Sequence, residues 1–160
     1  MTGTAAVMAV TEKGGCAAGA YTQEYAMEVT VQHLGGVQFE IQARQHTVFS
    51  DQPPENGGYD EGMTPPELFL ASLGACAAYY VAEYLRQKGL ASEGTRVKVV
   101  AEKVMNPPRI DNIRIEVELP MASEERDRAG VDRAVHRCLI HNTLMHPPKI
   151  EIAVHAHAAV

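Results

Sequence analysis

From Tyr25 the chain alternates: Tyr25, Met27, Val29 and Val31 interleave with Ala26, Glu28, Thr30 and Gln32. A period of two marks a half-buried strand. Beyond Gly35-Gly36, Val37, Phe39 and Ile41 interleave with Gln38, Glu40 and Gln42. Two alternating runs around a Gly-Gly pair predict a hairpin. A third short strand is expected at His46 to Phe49. Ser50 to Thr64 then holds Pro53-Pro54, Gly57-Gly58 and Gly62, which predicts a loop. Loops of this size inside compact domains are often functional.

Thr64 before Pro65 reads as an N-cap followed by proline at the first helical position. Glu67 falls in the first turn, where a carboxylate suits the helix dipole. The helix is expected to run to about Lys88 and to stop at Gly89, some six turns. Val97 to Val104 and Ile110 to Leu119 predict a second hairpin, connected through Asn106-Pro107-Pro108. Ser123 begins a charged amphipathic helix whose apolar face is Val131, Ala134 and Val135. A further short helical turn is expected at Leu139 to Leu144. Pro147-Pro148 ends it, and Ile150, Ile152 and Val154 alternate as a last strand. The order β-β-(β)-α-β-β-α-β, dominated by hairpins, is that of an α+β fold with mostly antiparallel sheet.

The central helix implies a neighbour. Between Leu68 and Leu85 its only charge is Glu83. A helix apolar all round must be covered all round, and one sheet covers one side. Small residues at Ala71, Gly74, Ala75, Ala77 and Ala78 permit close approach of another backbone. Burial within one chain is one solution; a homodimer sharing this helix is the one expected here.

Length and composition bound the rest. The 160 residues make about one domain, long enough to bury a core without disulfides or metal. Residues 1–20, rich in Ala, Gly and Thr, are expected to form a loose arm, and 21–160 the domain. The formal charge of −6 offers no basic excess for nucleic acid or anionic membrane, neither of which is an expected partner. Leu68 to Ala82 is uncharged but shorter than the ~20 residues of a bilayer span. The first ten residues lack a basic n-region, so no signal peptide is read there, and the expected location is cytoplasmic.

Three cysteines, an odd number, do not form a secreted disulfide framework. Cys16, in Gly14-Gly15-Cys16-Ala17, has no titratable neighbour closer than Lys13 and reads as incidental. Cys76, read alone, is a small buried hydrophobe. Cys138 follows Arg133, His136 and Arg137. If a helical turn starts there, its amides and the nearby cations lower the thiol pKa. His136, Cys138, His141 and His146 raise a metal site as a rival, but their spacing matches no structural zinc pattern and no metal is expected. His155 and His157 fit a polar strand face. Ser72 lacks the G-x-S-x-G elbow of a hydrolase.

The segment Thr64-Pro65-Pro66-Glu67-Leu68-Phe69-Leu70-Ala71-Ser72-Leu73-Gly74-Ala75-Cys76 resembles the first cysteine motif of the OsmC/Ohr family, the osmotically induced and organic hydroperoxide resistance proteins. Cys138 with Asn142-Thr143-Leu144 and Pro147 resembles the second. Ala43-Arg44-Gln45-His46, Ser50-Asp51-Gln52-Pro53 and Gly57-Gly58 resemble the preceding loop in the YhfA-like OsmC branch. The likeness spans roughly Tyr25 to Val154.

The resemblance implies an OsmC-like α+β fold, with antiparallel sheets wrapped around long central helices in an intertwined homodimer. It implies a thiol peroxidase reducing organic hydroperoxides and hydrogen peroxide. Cys76 would be peroxidatic and Cys138 resolving, with no cofactor beyond an external dithiol reductant. The family stabilises its thiolate with an arginine, here expected at Arg44, held by a carboxylate. Strongly active members carry that glutamate directly after the Asn/Thr-Pro pair. Here Pro66 stands in its place and Glu67 follows, rotated by about 100° on a helix. Phe49, Phe69 and Tyr79 are the expected substrate lining, or plain core. The alternative is a non-enzymatic relative that senses redox state or holds a small apolar ligand, which loss of the motif glutamate favours.

Overall fold

A computed structural model describes residues 27–120 and 124–156. The expected arm, Cys16, the strand start at Tyr25, the helix start at Ser123 and His157 lie outside the described residues.

The first hairpin forms as β1 (Thr30–Gly35) and β2 (Gln38–Ala43), and β3 (His46–Ser50) extends it to an antiparallel sheet in the order β1-β2-β3. β1 begins at Thr30, later than the alternation from Tyr25 suggested; Met27 to Val29 is not strand. After the long loop, α1 runs Pro65–Gln87. It ends one residue before Lys88, and Gly89 takes φ 68°, the left-handed conformation that glycine adopts at helix exits. β4 (Arg96–Met105) and β5 (Pro108–Glu118) form a separate antiparallel pair. α2 (Glu125–Val135) and α3 (Leu139–Met145) complete the described chain.

The expected last strand at Ile150 to Val154 is not one: residues 147–156 carry no secondary structure. Period two records which face of a strand is apolar, but a strand also needs a hydrogen-bonding neighbour, and this chain places none there. Ile150, Ile152 and Val154 are accordingly exposed.

The core lies along one stripe of α1. Leu73, Ala77, Val81 and Leu85, four residues apart, are buried, as a shared helix face requires. Val131 and Ala134 of α2 meet them, with Tyr84, Leu90, Val117 and Leu119 around the contact. Gly130 permits the approach of α2, since a Cβ there would stand 2.0 Å from the Tyr84 hydroxyl. On the other side Gly74 faces Val99 of β4. α1 is the one described helix long and apolar enough to cross a bilayer, but here it packs between β4 and the helices α2 and α3. The β1-β2-β3 sheet packs mainly within itself. Its Val31, Leu34, Val48 and Phe49 stay exposed, as does Tyr79 on α1. A single chain therefore covers one side of the apolar helix only.

The candidate thiol site

α1 and α3 bring the two cysteines together. Cys76 sits half-buried on α1, beside the buried Leu73 and Ala77. Cys138 follows the last turn of α2, where its amide donates to the Val135 carbonyl at 2.9 Å. It then serves as the N-cap of α3: its sulfur accepts from the His141 amide at 3.4 Å, and its carbonyl accepts from the Asn142 amide at 2.9 Å. A thiol in this position takes one of the unpaired amides of a helix start. Cys138 is fully buried, and both thiols are free.

Burial pushes the Cys138 thiol above its ordinary pKa, and the hydrogen bond shared with the Cys76 thiol pushes it the same way. The amides of His141 and Ile140 pull it down without prevailing. The lowered pKa expected from the helix start is therefore not found; desolvation and a neighbouring thiol outweigh two amides. A shared thiol–thiol hydrogen bond brings the sulfurs as close as two unbonded sulfurs come. Residues 62 positions apart in sequence can exchange bonds there.

The other expected site residues are distributed differently. Arg44 occupies the turn between β2 and β3 with φ 56°, on the sheet that packs mainly within itself. Among the described residues it has no hydrogen bond or ion pair with the cysteines or with Glu67. Glu67 caps α1: its carboxylate accepts from the Thr64 amide at 2.7 Å and the Thr64 hydroxyl at 2.8 Å. Those two bonds hold its pKa below the usual carboxylate value. Phe69 lies two turns before Cys76 on α1 and is half-buried, and Tyr79 is exposed with its ring edge-on to Tyr80 at 5.4 Å. Phe49 is on β3 and lines a different cavity, of about 250 Å³, with Leu34, Gln38, Ser50, Asp51 and Glu61. The three aromatics do not share one cavity in this chain. Ser72 donates to the Phe69 carbonyl at 2.7 Å, an exposed intrahelical bond.

Sequence reasoning gave Asp51 no role, yet it organises the loop before α1. The side chain is 1% exposed. Oδ1 accepts from the Gln52 amide, and Oδ2 from the Tyr59 and Glu61 amides and the Gln38 side chain. Burial disfavours its charge, but these four donors prevail and its pKa falls below the ordinary value. Gly58 folds back so closely that a Cβ would stand 1.8 Å from the Gln52 carbonyl oxygen. Asp and Gly in one loop were the available signal; the convergence of donors from positions 38, 52, 59 and 61 was not.

The comparisons agree with this geometry. The family model described as OsmC-like protein matches residues 58–153, from the loop through both cysteines. An OsmC-like protein from Mycoplasma pneumoniae is 18% identical, with TM-score 0.68 over 78% of this chain and 91% of that one. An organic hydroperoxide resistance protein OsmC from Legionella pneumophila is 15% identical, with TM-score 0.61 over 77% and 91%. An organic hydroperoxide resistance protein from Elizabethkingia anophelis, bound to thiocyanate, is 21% identical, with TM-score 0.53 over 77% and 90%. At these identities the shared property is the fold. No curated protein matches the chain.

Proposed function

We propose, from the premise that this chain belongs to the OsmC-like protein family, that it is a cysteine-based hydroperoxide reductase. The observation that carries the reading is the hydrogen-bonded pair of free thiols, Cys76 and Cys138. Relatives of the same fold are named organic hydroperoxide resistance proteins.

In the proposed cycle the Cys76 thiolate attacks one oxygen of the hydroperoxide. The O–O bond breaks, the alkoxide takes a proton and leaves as alcohol, and Cys76 becomes a sulfenic acid. The Cys138 sulfur then attacks the Cys76 sulfur; the S–S bond forms, the S–O bond breaks and water leaves. An external dithiol reduces the disulfide and is itself oxidised to one. Cys76 suits the first role because it is the more exposed of the two, and buried Cys138 suits the second.

The cycle wants a cation beside Cys76, and a homodimer is the proposed means of supplying it. The exposed apolar residues of β1-β2-β3, the uncovered side of α1 and the exposed Ile150, Ile152 and Val154 support a second copy as their cover. Packing of the outlying sheet onto α1 of that copy would carry Arg44 toward a cysteine pair. Sedimentation tests the assembly, and a compact 17.4 kDa species at low concentration contradicts it.

The chemistry is tested by adding cumene hydroperoxide to the reduced protein and counting free thiols. The expected result is loss of both Cys76 and Cys138, abolished by Cys76→Ser. Retention of both thiols in the wild type overturns the enzyme and favours the ligand-binding relative.

A further inference from the structure

The side of Cys138 that faces away from Cys76 carries two imidazoles with no part in the cycle above. His141 is the third residue of α3, and its amide touches the Cys138 sulfur at 3.4 Å. Its ring Nδ1 is buried without a hydrogen-bond partner among the described residues. The ring meets that of His136 edge-on, with centroids 5.0 Å apart. His136 Nε2 lies 3.8 Å from Asp132 Oδ2. All three side chains border a cavity of about 330 Å³ whose other walls include Leu73, Ile113 and Ile115.

Bond lengths keep a histidine Nδ1 within about 5 Å of its own amide nitrogen, so His141 Nδ1 lies within roughly 8 Å of Cys138 Sγ. The titratable groups around it are few. α2 contributes Asp132 and His136, the connecting turn contributes Cys138 and the exposed Arg137, and α1 contributes Cys76 beyond the sulfur. β5 presents only isoleucines to the cavity. His146, at the far end of α3, turns back onto the Asn142 carbonyl.

We propose that His141, backed by His136 and Asp132, takes up the proton that Cys138 sheds when it attacks the Cys76 sulfenic acid; this rests on the hydroperoxide-reductase reading. A buried thiol does not ionise readily, so it reacts faster when a base accepts its proton during the attack. An arginine cannot accept a proton, because it remains charged. An imidazole exchanges one near neutrality, and its unpartnered nitrogen is free to do so. In the step, the S–S bond forms, the Cys76 S–O bond breaks and hydroxide departs. The proton passes from Cys138 to the imidazole and on to hydroxide, giving water. The Asp132 carboxylate stabilises positive charge on the histidine pair in between. The sulfenic acid is the oxidant, and no other is required.

The test follows single turnover in the full-length protein, trapping Cys76 sulfenic acid with dimedone and timing its conversion to disulfide. In the wild type, disulfide formation is expected to accelerate as pH rises through the ordinary imidazole range, about 6.5. In His141→Gln it is expected to slow by about a hundredfold near neutrality and to lose that rise, with the slowing confined to this step. An unchanged rate and profile in His141→Gln overturns the inference while leaving the peroxidase intact. Absence of dimedone adduct in the wild type overturns the peroxidase reading and this inference with it. If His141→Gln does not fold, His136→Gln at the exposed end of α2 serves: a displaced pH profile supports the relay, and an unchanged one overturns it.

Discussion

Oxidising the reduced protein with one equivalent of hydroperoxide should join Cys76 to Cys138 and close a loop of 62 residues. In the chain-entropy treatment a loop of that size removes about 14 cal/mol/K from the unfolded ensemble, or about 4 kcal/mol at 25 °C. Little native strain offsets this, because the two thiols already share a hydrogen bond. For a chain of this length, each kcal/mol moves the melting temperature by about 2–4 °C, so the oxidised form should melt about 8–16 °C higher. The urea m-value should fall, since a cross-linked unfolded chain exposes less surface. Calorimetry and urea unfolding of matched reduced and oxidised samples measure both. An oxidised form that melts at or below the reduced one refutes the reasoning, because native sulfurs out of bonding reach would have to strain the fold to join.

Two further predictions concern the scaffold. Leu85→Ala removes a fully buried side chain where α1 meets α2, and should cost about 2–5 kcal/mol in urea unfolding with an unchanged m-value. A loss below about 1 kcal/mol would mean that this contact is not the core. Asp51→Asn should loosen the loop before α1, read as faster proteolysis between residues 51 and 64. Because the native Asp51 pKa is depressed, its contribution is complete above the ordinary carboxylate range and is lost as pH falls through the depressed value. The gap between wild type and variant should therefore close below about pH 4, and a gap independent of pH contradicts the assignment.

The sequence was most informative where structure is local. Thr64-Pro65 and Gly89 bracket α1, and Gly35-Gly36 turns the first hairpin, because capping and turn chemistry act over a few residues. The alternation of Ile150, Ile152 and Val154 marks an apolar edge but not its neighbour, so the expected strand is missing from the single chain. At the site, residue type pointed to Cys76 and Cys138, whereas their meeting depends on α3 docking against α1. The amides that suggested an acidic Cys138 were read correctly, but its complete burial was not foreseeable from neighbours in sequence. Glu67 illustrates the same limit. Its motif position suggested a partner for arginine, and its nearest donors, both on Thr64, make it a helix cap.

The most direct measurement is peptide mapping by mass spectrometry after brief oxidation with cumene hydroperoxide and blocking of the remaining thiols. The account predicts one dominant cross-linked pair, the α1 peptide bearing Cys76 joined to the peptide bearing Cys138, with Cys16 blocked as a free thiol. Peptides in which Cys76 and Cys138 both carry the blocking group, or in which either is joined to Cys16 instead, would contradict it.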